Sequence, residues 1–413
     1  MFNLAADMEA YQAGKVLALI RDVGAAAEGH SVYLVGGVVR DLLLGRSTLD
    51  VDLTVEGNAP SLARRLGKLL DGKVVTHPRF GTATFKRGPV SLDFVTARSE
   101  IYARPGGLPT VSAGTIQDDL ARRDFTINAM AIHLATQRFG ELIDPHKGKR
   151  DVDRGLIRVL HRESFRDDPT RIWRALRYEQ RLDFRLEERT EHLLRSDAPT
   201  MESVSGDRLR HELERILQEE RPEKVLCRAE ELGVLDQLVP GLEGDGWLAG
   251  RFDEARQASP DAKPAIELYL ALLAWRLEDE KLRQFAERLR FGGEAAKVLK
   301  GVMRLRQDLL RLGGPGLVPS AICGLLDPHY TLVIMAGVLA TDSHVVRQRL
   351  EAYLADLRFV APSLDGNDLK AMGVPAGRKL GWLLQALKDA RLDGKVATTE
   401  EEEALVRQWI GES

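Results

Sequence analysis

The first third of the chain carries short apolar runs and alternations that predict β-strands, with one helical segment between them. Val32–Val35 is an apolar run that ends in two glycines, and Leu49–Val55 alternates apolar and acidic residues. Thr82–Phe85 and Val90–Val95 are further strand candidates, since both are rich in β-branched and aromatic residues. Ser61–Leu70 has its apolar residues at helical spacing. This part of the chain therefore predicts a domain that mixes strands and helices.

Beyond about residue 167 the strand signals almost disappear and helical periodicity takes over. Pairs of glycine and proline separate the helical segments, as turn signals do. The predicted fold class is thus α+β, with a mixed-sheet head followed by a long all-helical part. The predicted helices are Arg171–Gln180, Gly206–Glu219, Pro222–Leu232, Ala265–Arg276, Asp279–Arg290 and Ala295–Leu312, followed by a largely helical tail over Thr331–Val360 and Asn367–Trp409.

Length and composition favour a globular protein of several domains. A chain of 413 residues is too long for one compact core, and its 44% apolar and 29% charged residues are ordinary values. No stretch approaches the roughly 20 apolar residues that span a bilayer, and the N-terminus shows no signal-peptide pattern. Cys227 and Cys323 are too few for a disulfide framework. We therefore expect a cytoplasmic protein with no membrane partner.

The basic residues are clustered within a chain of nearly neutral charge. A net charge of −3 argues mildly against nucleic-acid binding. Ten arginines lie between Arg154 and Arg189, however, and they produce a local positive field. A solvated helix face, in which acids balance the arginines, explains the same composition.

A glycine turn follows the first predicted strand. Residues 34–41 read LVGGVVRD, so Gly36 and Gly37 leave backbone N–H groups accessible to a phosphate. Arg40 follows within reach, and its guanidinium matches phosphate oxygens. Taken alone, two glycines after a strand more often form an ordinary turn.

Three acids on neighbouring predicted strands are candidates for a metal site. Asp50 and Asp52 are two residues apart on one strand, so their side chains share a face about 7 Å apart at Cα. Hard divalent cations prefer such carboxylate ligands. Asp93 lies on another strand that could bring it beside the pair, as a ligand or as a base for an attacking hydroxyl. An exposed strand face without a metal is the alternative interpretation.

Residues 118–131 read DDLARRDFTINAMA and mix charged positions with polar residues in an apolar run. Arg122 or Arg123 could reach a triphosphate, and a buried Asn128 must find hydrogen-bond partners. A helix start with capping acids and surface arginines explains the same pattern.

Residues 166–178 read RDDPTRIWRALRY and predict a helix start followed by an arginine face. Asp168 or the acid before it would lie at the helix start, where the missing N–H of the next proline costs nothing. Arg171, Arg174 and Arg177 recur every three residues and therefore share one face of the helix. They would repel one another unless an anion, a base or acids of other helices lie against them.

In this order the motifs resemble those of the class II tRNA nucleotidyltransferase and bacterial poly(A) polymerase family. The resemblance covers roughly residues 30–240 and rests on GGxVRD, DxD, RRDFTINA, IDPxxG and DDPxR, the last replacing the family's EDxxR. It implies an N-terminal nucleotidyltransferase head of the polymerase-β-like type. The domains that it implies are the head at 1–155, a helical neck for base recognition at 156–222, a helical body at 223–330 and a tRNA-binding tail at 331–413.

The resemblance also implies a role for each candidate residue. Asp50 and Asp52 would hold Mg²⁺, and Asp93 would be a further catalytic acid. Asp168 and Arg171 would read the base of the incoming nucleotide. The other nucleotide-binding residues would be Gly36, Gly37, Arg40, Arg123, Asn128, Arg174 and Arg177, with the choice of Arg123 over Arg122 left open.

The implied substrates are CTP and ATP, and the implied acceptor is the 3′ end of tRNA, bound through its acceptor arm. Cytosine and adenine each present an amine donor beside a ring-nitrogen acceptor, which a carboxylate and a guanidinium match. Uracil and guanine present the opposite polarity, leaving buried partners unpaired at about 1–3 kcal/mol each. The chemistry would follow the two-metal pattern and need no template.

Two departures from the family pattern and one retained loop bear on the exact activity. Asp167 replaces the family's glutamate, and Lys147 replaces the first glycine of IDPFGG. Enzymes that add only CC are described as lacking a flexible loop between the DxD and RRD motifs, whereas residues 96–115 retain a loop that contains Pro-Gly-Gly. Addition of the whole CCA end is the favoured interpretation. A-only addition, CC-only addition and poly(A) synthesis are the alternatives.

Two alternatives come from other functional classes. One is an inactive homologue that binds RNA without incorporating nucleotides. The other is a nucleotidyltransferase that acts on a small molecule or a protein. The long helical part favours RNA, since a small acceptor needs no surface so extended. The sequence does not indicate an oligomeric state.

Overall fold

The computed structural model describes residues 3–6, 8, 14–27, 29–46 and 50–411. The chain forms two compact units. The first contains residues 1–219 and 231–237, and the second contains residues 220–230 and 238–413. The finer division into head, neck, body and tail stays a prediction.

A seven-stranded sheet is the centre of the first unit, with strand order β3-β4-β5-β2-β1-β8-β9. Strands β2 and β5 pair in parallel, while the other neighbours in this sheet are antiparallel. The sheet is therefore mixed, as predicted. Its strands are β1 (Ser31–Val35), β2 (Asp50–Glu56), β3 (Lys73–His77), β4 (Thr82–Arg87), β5 (Val90–Thr96), β8 (Ala131–His133) and β9 (Leu142–Ile143).

Some helices of the first unit pack on the sheet, and others follow later in the sequence. The predicted Ser61–Leu70 helix is found as α3, whose Leu62 and Leu66 are buried against β3, β4 and β5. Its N-terminus is capped by Asn58, which accepts a hydrogen bond from the N–H of Ser61 at 2.9 Å. The helices are α1 (Gly14–Ala26), α2 (Gly37–Leu43), α3 (Ala59–Leu69), α4 (Ile116–Ala121), α5 (Gly148–Arg154), α6 (Ser164–Asp167), α7 (Thr170–Leu182), α8 (Glu188–Asp197) and α9 (Gly206–Leu217).

The segment that the sequence presents as a loop, residues 96–115, is a β-hairpin. Strands β6 (Arg98–Ile101) and β7 (Thr110–Ala113) form an antiparallel two-stranded sheet of their own. Every residue of β7 is exposed, so burial leaves no apolar pattern there from which a strand could be predicted. At the base of the hairpin the N–H of Gly114 donates to the carbonyl of Ala97 at 2.9 Å. The loop prediction was therefore wrong in secondary structure.

Lys147 shows what the loss of a family glycine means for the backbone. It lies in the left-handed region, at φ 60°, immediately before α5. Glycine adopts that conformation without steric cost, whereas a lysine is strained there. Asp144 offsets part of this cost, since its carboxylate accepts from the N–H of Gly148 at 2.6 Å and of Lys149 at 3.0 Å.

A second two-stranded sheet, β10 (Leu156–Ile157) with β11 (Arg185–Leu186), follows α5 along the chain.

Helices are the regular secondary structure of the second unit over its described residues, as predicted. Three of its helices, α12, α14 and α16, pack on one another and approach closely at two glycines. A Cβ added to Gly301 would lie 2.8 Å from Val333, and one added to Gly337 would lie 2.9 Å from Leu305. Its helices are α10 (Pro222–Glu231), α11 (Gly246–Gln257), α12 (Ile266–Leu273), α13 (Asp279–Arg288), α14 (Gly293–Leu312), α15 (Pro319–Leu326), α16 (Thr331–Ala340), α17 (His344–Ala355), α18 (Gly366–Ala371), α19 (Arg378–Leu392) and α20 (Thr399–Gly411).

The C-terminal helices share a small core of their own. Leu369 of α18, Leu383 and Leu387 of α19 and Val406 of α20 are buried together.

Cys227 and Cys323 are free thiols and do not form a disulfide. Among the described residues no single helix has the length and apolar character of a membrane span, although α15 and α16, with a 112° bend between them, meet both conditions as a pair.

Candidate active site

Two of the predicted acids lie side by side on the central sheet. Strands β2 and β5 run parallel in a register that pairs Asp52 with Asp93. Residues paired in this way project to the same face on strands about 4.8 Å apart. Both side chains are exposed, and Asp93 accepts a hydrogen bond of 2.6 Å from the hydroxyl of Thr84 on β4. Asp52 and Asp93 therefore lie side by side, as predicted.

Asp50 begins β2, two residues before Asp52, and the structure describes its backbone but not its side chain. Val51, Leu53 and Val55 of β2 are buried, on the face opposite to that of Asp52. The metal role of Asp50 stays a prediction.

This donor set fits a hard divalent cation. Like charges placed directly opposite each other on adjacent strands destabilise a sheet unless a counter-charge lies between them. Asp52 and Asp93 are such a pair, and their oxygens are the ligands that such a cation prefers. The described side chains, which exclude that of Asp50, form no group of three or more acids, histidines or cysteines that could hold a metal. The carboxylates of Asp52 and Asp93 are therefore the described candidates for metal ligands on this face.

The turn after β1 places Gly36 and Gly37 at the start of α2. Gly36 has φ 75°, in the left-handed region that favours glycine. A Cβ added there would lie 2.5 Å from Nη1 of Arg123, so any larger residue would both strain the backbone and displace that guanidinium. The predicted glycine turn thus lies directly against an arginine of the RRD motif.

Arg40 is buried beneath this turn and already has protein partners. Its Nη1 donates to Oδ1 of Asn128 at 2.7 Å, and its Nε and Nη2 donate to Asp41 at 2.9 and 2.8 Å. The amide of Asn128 in turn donates to Asp124 at 3.0 Å. The buried asparagine has therefore found the partners that its position requires.

A buried carboxylate organises both arginines of the RRD motif. Asp119 of α4 is fully buried and accepts from Arg122 at 2.7 Å and from Arg123 at 2.9 Å. Burial raises the pKa of Asp119, but the two guanidiniums outweigh that effect and leave the pKa below its ordinary value. Arg122 also donates to Glu100 of the hairpin at 3.1 Å. The sequence suggested only capping acids here, and the acid that takes part in capping is Asp118, which forms a capping box with Thr115, the N-cap residue of α4.

Asp124 forms the strongest ion pair of the site with Arg174. Nε of Arg174 donates to Oδ2 of Asp124 at 2.9 Å, and Nη2 contacts the same oxygen. Burial raises the pKa of Asp124, but Arg174, Asn128 and the N–H of Phe125 stabilise the anion more and hold the pKa at about 2. Asp124 is therefore ionised at any neutral pH.

Asp168 and Arg171, the predicted base readers, lie at the start of α7. Oδ1 of Asp168 accepts from the N–H and hydroxyl of Thr170 at 3.0 and 2.6 Å and from Arg208 of α9 at 2.6 Å. Arg171 is buried and donates to the hydroxyl of Ser164 at 2.7 Å and to the carbonyl of Arg122 at 2.8 Å. Both side chains are thus held by groups that the sequence did not indicate.

Acids outside α7 neutralise part of its arginine face. This is one of the arrangements that the sequence allowed. Arg174 pairs with Asp124, and Nη1 of Arg177 donates to Glu219 at 3.3 Å. Arg177 is buried, with its side chain 9% exposed. Among the described residues its Nε has no hydrogen-bond acceptor.

An open cleft of about 510 Å³ collects most of these side chains. Seven of the twelve predicted residues line it, whereas Gly36, Arg40, Asp50, Asp93 and Arg177 are not among its lining residues. Among the other lining residues, Arg122 and Asp124 belong to the RRD motif, and Tyr178 lies one helical turn after Arg174. No local pattern marks the remaining ones, which the sequence missed. The lining residues are Gly37, Asp52, Arg98, Glu100, Tyr102, Pro109, Arg122, Arg123, Asp124, Asn128, Asp168, Arg171, Arg174, Tyr178 and Arg208.

Two family patterns match the chain. The family described as "Poly A polymerase head domain" matches residues 32–158, which contain the sheet and the RRD motif. The one described as "Probable RNA and SrmB- binding site of polymerase A" matches residues 183–245.

The chain is also similar to tRNA nucleotidyltransferases that carry two different names. It is 34% identical to an A-adding tRNA nucleotidyltransferase of Geobacter sulfurreducens, over 94% of this chain and 46% of that protein. It is 32% identical to a CC-adding tRNA nucleotidyltransferase of Deinococcus radiodurans, over 94% of this chain and 91% of that protein. Against several A-adding relatives, the chain spans about half of the relative's length.

Solved structures of CCA-adding enzymes have the same fold over almost the whole chain. One apo structure gives a TM-score of 0.85 at 32% identity, covering 98% of this chain and 99% of that one. A Thermotoga maritima CCA-adding enzyme complexed with tRNA gives 0.79 at 32% identity, covering 99% of each. The chain therefore belongs to the tRNA nucleotidyltransferase and poly(A) polymerase family. Nucleotidyltransferases of this fold generally use divalent metal ions.

Proposed function

We propose that this chain adds nucleotides from CTP and ATP to the 3′ end of tRNA and builds the whole CCA end. The observation that carries the proposal is the juxtaposition of Asp52 with Asp93 on parallel strands, beside a cleft that also contains Asp168 and Arg171. One bound nucleotide would therefore contact both the proposed metal ligands and the two residues proposed to recognise its base.

Asp50 and Asp52 would hold Mg²⁺, which when bound supplies Lewis-acid stabilisation for a 3′-hydroxylate and for the leaving pyrophosphate. Asp93 would accept the proton of the attacking hydroxyl. A hydrogen bond from Thr84 holds one of its carboxylate oxygens. Exposure of Asp52 and Asp93 leaves that face accessible to an RNA end.

The cleft has the charge that a nucleoside triphosphate requires. Six arginines and four acids line it, which gives an excess of two positive charges. The triphosphate would approach the backbone N–H groups at Gly36 and Gly37 and the guanidinium of Arg123. Arg123 is already oriented by Asp119, so little reorganisation is needed when charge develops there.

Asp168 and Arg171 would select cytosine and adenine. Among the described residues the hydrogen bonds to the Asp168 carboxylate all reach Oδ1, so the other oxygen can accept from an exocyclic amine. Nη1 of Arg171 donates to Ser164 and Nη2 donates once to Arg122, so Nε–H and the second N–H of Nη2 are the donors left for a ring nitrogen. A uracil or guanine would leave both groups unpaired at about 1–3 kcal/mol each.

The tRNA acceptor is supported by the kind of structure that the chain resembles. The Thermotoga maritima enzyme was solved with tRNA, and related structures were solved with ATP and with CTP. This chain covers the full length of those enzymes, helical part included. The helical second unit would accordingly hold the tRNA.

The test uses three tRNA substrates, ending before CCA, after C and after CC. We expect the purified protein with Mg²⁺, CTP and ATP to complete the end of all three. Incorporation of AMP onto the CC-ended tRNA alone would replace the proposal with A-only addition. Growth of an adenosine tail on any RNA end would indicate poly(A) synthesis, and retention of tRNA without incorporation would indicate an inactive binding protein.

A-only addition is the second candidate, and the identity to A-adding relatives favours it. CC-only addition is less favoured, because the hairpin between the DxD and RRD motifs is present. Since the sheet and cleft serve all three activities, the outcome depends on nucleotide selection rather than on the metal face.

A further inference from the structure

Tyr178 is surrounded by guanidinium groups that belong to two different helices. The guanidinium carbons of Arg40, Arg174 and Arg177 lie 5.2, 5.6 and 5.1 Å from the centre of its ring. Arg40 comes from α2, whereas the other two belong to α7 with Tyr178 itself. All three distances are within the roughly 6 Å at which an aromatic face attracts a cation.

The three arginines are otherwise neutralised separately. Arg40 pairs with Asp41, Arg174 with Asp124 and Arg177 with Glu219. The ring of Tyr178 is common to all three, and its negative faces reduce the repulsion between the positive charges. The edge of Phe125 packs against this ring, with centroids 5.9 Å apart and planes at 84°, and so fixes its orientation.

Tyr178 also contacts both ends of a chain of hydrogen-bonded side chains. Arg40 donates to Asn128, Asn128 donates to Asp124, and Arg174 donates to Asp124. The ring joins the two ends of this chain of hydrogen bonds, because Arg40 and Arg174 both lie against it. The hydroxyl of Tyr178 adds a long contact of 3.4 Å to Nη2 of Arg174.

We propose that Tyr178 is a positioning residue whose aromatic face packs on the buried guanidiniums of Arg40 and Arg177 and orients Arg174, the one of the three that lines the cleft, for the triphosphate of the incoming nucleotide. The inference rests on the proposed function. Donors that are already fixed lose little freedom when an anion binds, so removing the shared ring weakens nucleotide binding more than it slows the chemical step. The ring matters here and the hydroxyl contributes little, since its single contact is long.

The first test compares Tyr178→Leu with Tyr178→Phe. We expect Tyr178→Leu to raise the KM for both ATP and CTP about tenfold, equivalent to about 1.4 kcal/mol. The KM for tRNA should not change, and pyrophosphate binding measured by calorimetry should weaken in parallel. Tyr178→Phe should restore all three quantities to wild-type values. A folded Tyr178→Leu variant with a wild-type nucleotide KM would overturn the inference.

Tyr33 supplies the matched control. It is a buried aromatic of the same unit, forms a T-shaped contact with His133 at 4.9 Å between ring centroids and is not among the residues that line the cleft. Tyr33→Leu removes a ring of the same size, so it should lower thermal stability while leaving the nucleotide KM unchanged. An equal rise of the nucleotide KM in Tyr33→Leu would assign the effect of Tyr178→Leu to general loosening and would contradict the inference.

A series of fluorinated phenylalanines at position 178 tests the inference even if Tyr178→Leu does not fold. Successive fluorines weaken the negative ring face while retaining the shape of the ring. The KM for ATP should rise with each fluorine, and a flat series would refute the role of the ring. Failure of the wild-type protein to incorporate any nucleotide would instead refute the proposed function, so the two failures are distinguishable.

Discussion

The arginines that line the cleft of the first unit differ in their surroundings from arginines that lie at helix ends in the second unit. In the first unit, Arg122, Arg123 and Arg174 pair with buried carboxylates and still line an open cleft. In the second unit, Arg306 donates to the carbonyls of Trp275 and Leu277, beyond the end of α12. The residue type is the same, but the surroundings of the guanidinium differ.

The second unit uses arginine to satisfy carbonyls at helix ends. Arg349 donates to the carbonyls of Leu312 and Gly314, at the C-terminus of α14. These carbonyls lack helical partners, and a basic side chain both satisfies them and complements the helix dipole. A count of arginines therefore does not locate an anion site, whereas a guanidinium that is paired with a buried acid and also lines a cleft does.

The largest effect is expected at the metal face. Asp52→Asn should lower the rate of nucleotide incorporation by about 10⁴-fold, equivalent to about 5 kcal/mol of transition-state stabilisation. The melting temperature should change by much less than the rate, because the carboxylate is exposed. Single-turnover incorporation of CMP measures the rate, and heat denaturation measures the stability.

Asp183→Asn is the control for Asp52→Asn. Asp183 is an exposed acid of the same unit in the left-handed region, at φ 58°, where asparagine is tolerated. It should leave both measurements unchanged. If Asp52→Asn retained more than a tenth of wild-type incorporation, the catalytic assignment of this face would be wrong.

The second effect concerns stability in the cleft. Asp124→Asn removes the partner of Arg174 and leaves a partly buried cation uncompensated, which should lower the free energy of unfolding by about 3–5 kcal/mol. Urea denaturation of the single variants and of Asp124→Asn with Arg174→Met would measure the coupling. Additive losses in the double variant would show that the two side chains do not form the pair that the structure indicates.

The third prediction concerns acid. The pKa of Asp124 in the folded protein is about 2, below the value of about 3.9 expected in the unfolded chain. Its stabilisation is therefore fully present above about pH 4 and is lost as the pH falls towards 2, a loss of about 2–3 kcal/mol. The difference in stability between wild type and Asp124→Asn should shrink over that interval. A constant difference from pH 5 to 3 would contradict the lowered pKa.

The smallest effect is expected in the second unit. Arg306→Met removes hydrogen bonds to two carbonyls and the ion pair with Asp279, and should lower the free energy of unfolding by about 1–2 kcal/mol. The KM for ATP should stay at the wild-type value below the melting transition. A raised KM for ATP would remove the distinction between the two groups of arginines.

The sequence predicts the elements with strong patterns and misses those held by distant contacts. Val90–Val95 is found as β5 (Val90–Thr96), since its apolar residues alternate on a buried face. By contrast, β3 (Lys73–His77) lies at the edge of the sheet, where its residues are exposed or half-buried, and it was not predicted. The hairpin strands β6 and β7 were missed for the same reason.

The candidate site shows the same limit. The motifs located most of the residues that line the cleft, and the register of β2 with β5 confirms that Asp93 lies beside Asp52. Asp119 looked like a second capping acid because its pairing with Arg122 and Arg123 depends on the burial of α4. Arg208 lies 40 residues from Asp168 along the chain, so no local pattern could connect them.

The hairpin β6–β7 enters and leaves the domain through a single pair of adjacent backbones. Since Ala97 and Gly114 are hydrogen-bonded to each other, the sixteen residues between them begin and end at one point of the domain. A shorter hairpin would cost little loop-closure entropy, which changes slowly with length. It would, however, lose Glu100, the acceptor of Arg122, and with it part of the cleft lining. The length of this segment can therefore vary while its ends stay fixed, and each change of length alters one wall of the cleft.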